Sequence, residues 1–191
     1  MAQSRNRSTA HHESLRLAFC GTIIALSVVL LLTSALIPIM TYAAPLLSGL
    51  VLIPVLLSYG KKDAWMTWMA TASLALILGF EKEMALFYLF FGYWPILKWQ
   101  VDKIRSKPLR MLVKFFFFSL SLLCMYGLLT LLFPLNAILG EFEEMGVALT
   151  IAFFAAMILC LFLYDYLLTP LTMTYVTRWE PKLKKMLHIA R

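Results

Sequence analysis

The sequence predicts an all-α, polytopic transmembrane helix bundle of six spans with both termini cytoplasmic. Three observations predict it. Hydrophobic residues make up 62% of the 191 residues and charged residues 14%, against roughly half and a quarter in soluble domains, and mean hydropathy is +0.83. The apolar residues fall in runs that suit a hydrocarbon core about 30 Å thick. Lysine and arginine gather in alternate connections between those runs, as orientation in a bilayer demands. A soluble domain of this size could not cover so much apolar surface. Disorder and a secreted disulfide scaffold are excluded as well.

A polar tail, 1–15, precedes the first span. Leu17 to Tyr59 is an uncharged run of 43 residues. As one helix it would be about 65 Å long, twice the bilayer. It must fold back, and Pro38 and Pro45 bracket the break. Span 1 is therefore about 16–37 and span 2 about 42–59. Gly60-Lys61-Lys62-Asp63 separates span 2 from span 3, 64–80, and Glu81-Lys82-Glu83 separates that from span 4, 84–97. Span 4 is short and contains Gly92 and Pro95, a length that also fits a re-entrant segment. A basic connection, 98–114, leads to span 5, 115–135. An acidic connection, 136–146, leads to span 6, 147–170, whose apolar character continues to Tyr175. The bundle is thus one domain, 16–175, followed by a basic tail, 176–191.

Charge distinguishes six spans from five. With six spans and the N-terminus inside, every lysine and arginine except Lys82 lies on the cytoplasmic side. If segment 4 did not cross, the cluster Lys98, Lys103, Arg105, Lys107, Arg110 and Lys114 would move outside, against the positive-inside rule. Snorkelling by Lys98 accommodates the short helix. Trp65, Trp68, Trp94, Trp99 and Trp179 all fall near the cytoplasmic interface, where indole rings act as anchors. The net charge of +7 therefore reads as attraction to the membrane surface, with lipids as partners and no nucleic acid. The stretch 98–114 and the tail suit anionic lipid or a cytoplasmic partner. Localisation follows: the plasma (inner) membrane, multi-pass. The small residues Ala43-Ala44 suggest signal cleavage, but the preceding apolar stretch is too long and reads as a retained span.

Chemistry-bearing residues are few. No nucleotide-binding loop, nucleophile elbow or metalloprotease motif is present, so no catalytic residue, cofactor or metal is expected. Cys20, Cys124 and Cys160 lie in apolar runs and read as small buried hydrophobes. His11 and His12 lie in a polar tail. Asp165 is the acid placed within a span, near its inner edge. It reads either as half of an ion pair, with Arg178 or the 98–114 cluster, or as a coupling residue. Ala18, Gly21, Thr22 and Ala25 form a strip of small residues on one face of span 1. They suit close helix packing, inside this chain or against a partner. Ala70, Ser73, Ala152, Ala155 and Ala156 read as internal packing. Tyr42 and Tyr88, near the outer surface with Phe80, Phe87, Phe133 and Phe142, suit a pocket lining or an interface belt. Asn136, Glu141, Glu143 and Glu144 suit a lid over such a pocket, or simply a solvated acidic loop.

Together these features resemble the substrate-binding (S) component of the energy-coupling factor (ECF) transporters of bacteria. That family has about this length, six helices, both ends inside and no ATPase of its own. Its members carry small residues near the cytoplasmic start of helix 1, which dock on a coupling subunit. Ala18, Gly21, Thr22 and Ala25 occupy that place. The resemblance implies capture of a vitamin-like small-molecule solute in an outward pocket beneath the loop between helices 1 and 2, here Ile37 to Pro45. It implies as partners a transmembrane coupling subunit and ATPases. Tyr42, Tyr88, Asn136, Glu141 and Glu144 are the expected solute contacts. The competing class is a non-transporting scaffold of envelope assembly, which would be a solid bundle with no outer cavity. An intramembrane enzyme is disfavoured because Asp165 has no catalytic companion in the spans.

Overall fold

A computed structural model describes the backbone of residues 2–37, 40–78, 81–132 and 135–179, and the side chains of these except 2–12, 35, 132, 135–145 and 178–179. Eight α-helices account for nearly all of it: α1 (Ala2–Leu32), α2 (Met40–Val51), α3 (Ile53–Ser58), α4 (Lys61–Leu78), α5 (Lys82–Phe91), α6 (Trp94–Val101), α7 (Lys107–Leu132) and α8 (Leu135–Thr174). No strand occurs among the described residues. Four stretches are long and apolar enough to cross a membrane: Glu13–Leu32, Met40–Ser58, Lys107–Leu131 and Gly146–Thr177. Large apolar side chains point outward along them and along α4, including Ile77 at 76% and Leu123 at 73% exposure. Water would penalise such faces at about 25 cal/mol per Å², so the outer solvent is lipid.

The chain divides into two compact units, 1–96 and 97–191. In the first, contacts at both ends set the helix directions. The Arg16 guanidinium on α1 pairs with the Asp63 carboxylate at the start of α4. At the other end Thr41 Oγ1 donates to Glu81 Oε2 at 2.7 Å, and the Tyr42 hydroxyl donates to Glu83 Oε1 at 2.8 Å. α1 and α4 therefore run one way, while α2–α3 and α5–α6 run the other. Ile23, Val55, Ala64 and Ile96 pack together at the Arg16 end. Leu31, Ala72, Ala75, Met84, Ala85 and Tyr88 pack at the Thr41 end. Between them the Ser48 hydroxyl donates to the Ser27 carbonyl at 2.8 Å, and both residues are buried.

Proline and glycine place the interruptions. Pro54 lacks the N–H that would reach Leu50, and the span breaks there into α2 and α3. Pro45 is accommodated within α2 rather than ahead of it. The α5–α6 segment turns at Gly92-Tyr93. A Cβ on Gly92 would stand 2.6 Å from both a ring carbon and the carbonyl oxygen of Tyr88. The run Phe91-Gly92-Tyr93-Trp94-Pro95 thus lets a buried tyrosine lie against bare backbone.

In the second unit α7 and the later part of α8 are antiparallel. Phe118 meets Phe162 at 5.5 Å and Tyr126 meets Phe154 at 5.3 Å between ring centroids, so numbers rise on one helix as they fall on the other. α8 kinks at Gly146, whose φ of 73° and ψ of 159° suit glycine alone. That kink divides Leu135–Met145 from the span that follows.

Several expectations are corrected. The helix of span 1 starts at Ala2 rather than after a polar tail. The connection 98–114 is mostly helix: it comprises the end of α6, a turn at 102–106 and two turns of α7. Trp94 is buried, at 1% exposure, rather than presented outward as an anchor. Trp65 and Trp68 pack with Tyr93 in a three-ring cluster, with centroids 5.1–5.5 Å apart. Only Trp99, 54% exposed, keeps an anchor's position among the tryptophans whose side chains are described. Cys124 and Cys160 are exposed on the lipid-facing sides of their helices, as are Ala152, Ala155 and Ala156, since α8 has few neighbours to cover it.

Candidate functional site

Two charged centres stand out, one in each unit. In the second unit, Lys98 comes from the last turn of α6, Asp102 from the turn that follows, Lys114 from α7 and Asp165 from α8. Lys98 Nζ lies 2.9 Å from Asp165 Oδ1 and 3.2 Å from Asp102 Oδ2. It also donates to the Asp165 backbone carbonyl at 3.0 Å. Lys114 Nζ lies 2.6 Å from Asp165 Oδ2 and 2.9 Å from Asp102 Oδ1. Each ammonium therefore touches both carboxylates, and the formal charges cancel. Asp165 is 7% and Lys114 6% exposed. Charges at such burial persist only when paired and hydrogen-bonded.

At Asp102, which is a third exposed, burial pushes the carboxyl upward. The hydrogen bond from Lys114, and the charges of Lys98 and Lys114, outweigh that push and hold it below the usual carboxylate range. Chemically the quartet can clamp the α6–α7 turn onto α8. It contains no histidine, and its groups compensate one another.

The sequence named the 98–114 cluster among the partners of Asp165, and Lys98 and Lys114 of that cluster supply the pairing. Arg178, the other named partner, lies outside the described side chains. Lys98 does not snorkel: it turns inward, because the Asp165 carboxylate is within reach. Lys114 was named only as one of the cluster, and Asp102 was missed as a member of the circuit. Their signals were a lysine carried into the apolar run Met111–Phe118 and a single acid within a basic stretch.

In the first unit the Arg16–Asp63 pair borders a groove between α1 and α4 of about 380 Å³. Asp63 sits in the first turn of α4, where the helix dipole favours an anion. Its side chain is 6% exposed, against 45% for Arg16. Glu13 lies at the same end, while Leu17, Gly21, Ile24, Met66 and Ala70 line the apolar remainder. Ala18, Gly21, Thr22 and Ala25 are all exposed, and a Cβ at Gly21 would meet nothing within 4 Å. Packing within the unit leaves the strip uncovered.

Of the expected solute contacts, the side chains of Tyr42 and Tyr88 are described. Tyr42 is committed to Glu83 and packs edge-on against Phe87 at 5.6 Å. Tyr88 is fully buried in the cluster with Leu31 and Met84, beside Thr71. The side chains of Asn136, Glu141 and Glu144, with Glu143 and Phe142, lie outside those described. So do those of His11 and His12. Residues 80, 133 and 188 lie outside the described residues altogether. Among the described residues no group of three or more His, Cys, Asp or Glu could hold a metal ion.

No family model, curated protein or solved structure matches this chain.

Proposed function

We propose that the chain is a bacterial plasma-membrane subunit of six crossings, with both termini cytoplasmic, that works docked to a partner. In this reading it captures a vitamin-like solute from outside, and a separate ATPase module supplies the energy. The observation that carries it is the uncovered strip Ala18, Gly21, Thr22 and Ala25 at the start of α1. Lipid gives little drive for helix association, so close-packing small residues are what a partner helix would use. The alternating directions of α1, α2–α3, α4 and α5–α6 support the six crossings. Segment 4 runs from the Glu81 end back to the Trp65 end, as a crossing helix should.

The test is mass spectrometry of gently purified protein, read for copurifying subunits and a bound metabolite. An ATPase and a membrane subunit should appear, and both should be lost from Ala18→Trp and Ala25→Trp. A vitamin panel should then raise the unfolding temperature. Saturation at a hundredfold over Kd adds about 2.7 kcal/mol. No subunit, no metabolite and no shift would end the transport reading.

One observation favours the scaffold alternative. Met84, Phe87 and Tyr88 are all buried in the first unit, which is the packing a solid bundle has. Crosslinking that recovers only envelope-assembly proteins would decide for that alternative.

A further inference from the structure

We infer that the α1–α4 groove is a binding site for a phospholipid whose headgroup carries both an ammonium and a phosphate, such as phosphatidylethanolamine. This rests on α1 crossing the bilayer and is independent of the transport reading. The apolar stretch begins at Glu13, so the polar mouth of the groove lies at headgroup depth. Among the described residues that line the groove, three are charged: Glu13, Arg16 and Asp63. The mouth is therefore one cation between two carboxylates. A plain anionic headgroup would meet more repulsion than attraction. A zwitterionic one satisfies both signs, its phosphate on the half-exposed Arg16 fork and its ammonium toward Glu13.

Deeper features follow the same order. Thr67, one turn into α4, is 1% exposed and lines the groove, and its hydroxyl has no hydrogen-bond partner. A buried hydroxyl left unsatisfied costs about 1–3 kcal/mol. Thr67 stands about 6 Å beyond Asp63 along the helix, the depth of a glycerol ester carbonyl beneath a headgroup. Beyond it Ile24 and Ala70 offer an apolar channel.

The experiment is native mass spectrometry of the full chain in detergent, titrated with phosphatidylethanolamine or with phosphatidylglycerol of the same chains. The ethanolamine lipid should be retained about tenfold more strongly, the equivalent of one additional charged contact. Gly21→Leu, which projects into the groove from a position with open space around it, should abolish the preference. Thr67→Val, close to isosteric, should weaken retention about fivefold without lowering helicity, and it carries the test should Gly21→Leu fail to fold. Equal retention of the two lipids means a non-specific annulus and overturns the inference. So does undiminished retention by Thr67→Val. A protein subunit lost from Gly21→Leu while the lipid remains would assign the groove to a partner and overturn it too.

Discussion

The two charged centres solve one problem in different ways. Each holds an aspartate that is more than nine-tenths buried at the end of an apolar span: Asp63 in the first unit, Asp165 in the second. Asp63 is met by Arg16, which is nearly half exposed and borders an open groove. Asp165 is met by two lysines, one of them as buried as itself, and a second aspartate closes the circuit. Water or lipid can reach the first centre and replace part of what the protein supplies. At the second only the protein compensates. The quartet is therefore built to hold helices together, whereas the pair retains capacity for an additional ligand.

The largest effect should come from breaking the quartet at its hub. Asp165→Asn leaves Lys98 and Lys114 short of a counter-charge in a buried site. It should cost about 3–5 kcal/mol, the range for losing one member of a buried pair. Thermal unfolding in detergent measures it. The double variant Asp165→Leu with Lys114→Met should recover much of the loss, because burying no charge avoids the desolvation penalty. A loss below that of the Arg16 variant described next would reverse the comparison.

Arg16→Gln should cost less, about 1–3 kcal/mol, the range for a buried polar group left unsatisfied, since solvent reaches the Arg16 side. Phosphatidylethanolamine should stabilise the wild type more than the variant and so widen the difference between them. Thermal unfolding with and without lipid reads both effects. Gly92→Ala should cost about 1–3 kcal/mol through overpacking, as its Cβ would collide with Tyr88 backbone and ring. The damage should be confined to the first unit, and protease nicking between α4 and α6 would locate it.

The smallest effect is in acid. The folded carboxyl of Asp102 lies below its ordinary value of 3.8. Its stabilising contribution is therefore complete above that pH and is lost as pH falls through the lower folded value. Unfolding temperature should be insensitive to Asp102→Asn only at the acid extreme, and lower than wild type near neutrality. Equal differences at both pH values would remove Asp102 from the circuit.

The places where sequence reading succeeded share a physical cause. Spans 1, 2, 5 and 6 were legible because transfer into hydrocarbon depends on local composition, which a window of about 20 residues contains. The breaks at Pro54 and Gly146 have a local cause as well: the boundary at 146 was anticipated, the break at Pro54 was not. Segment 4 was singled out by charge asymmetry rather than length, and Gly92 divides it into two short helices, α5 and α6. The strip Ala18, Gly21, Thr22 and Ala25 showed its spacing, but its exposure depended on where α2 and α4 pack against α1. The aromatic residues misled. Tyr88 and Trp94 carry the chemistry of a pocket or an interface, and packing used both as core.

The sequence by itself determined that this chain is built for a bilayer, how its long apolar spans are spaced and where its basic residues gather along the chain. These follow from hydrophobic transfer and charge, which act residue by residue. Only the tertiary structure decided which charges meet. Arg16 and Asp63 are 47 residues apart, Lys114 and Asp165 51, and Lys98 and Asp165 67. Electrostatic pairing at hydrogen-bond distance depends on the relative register of packed helices, and no local pattern encodes that register.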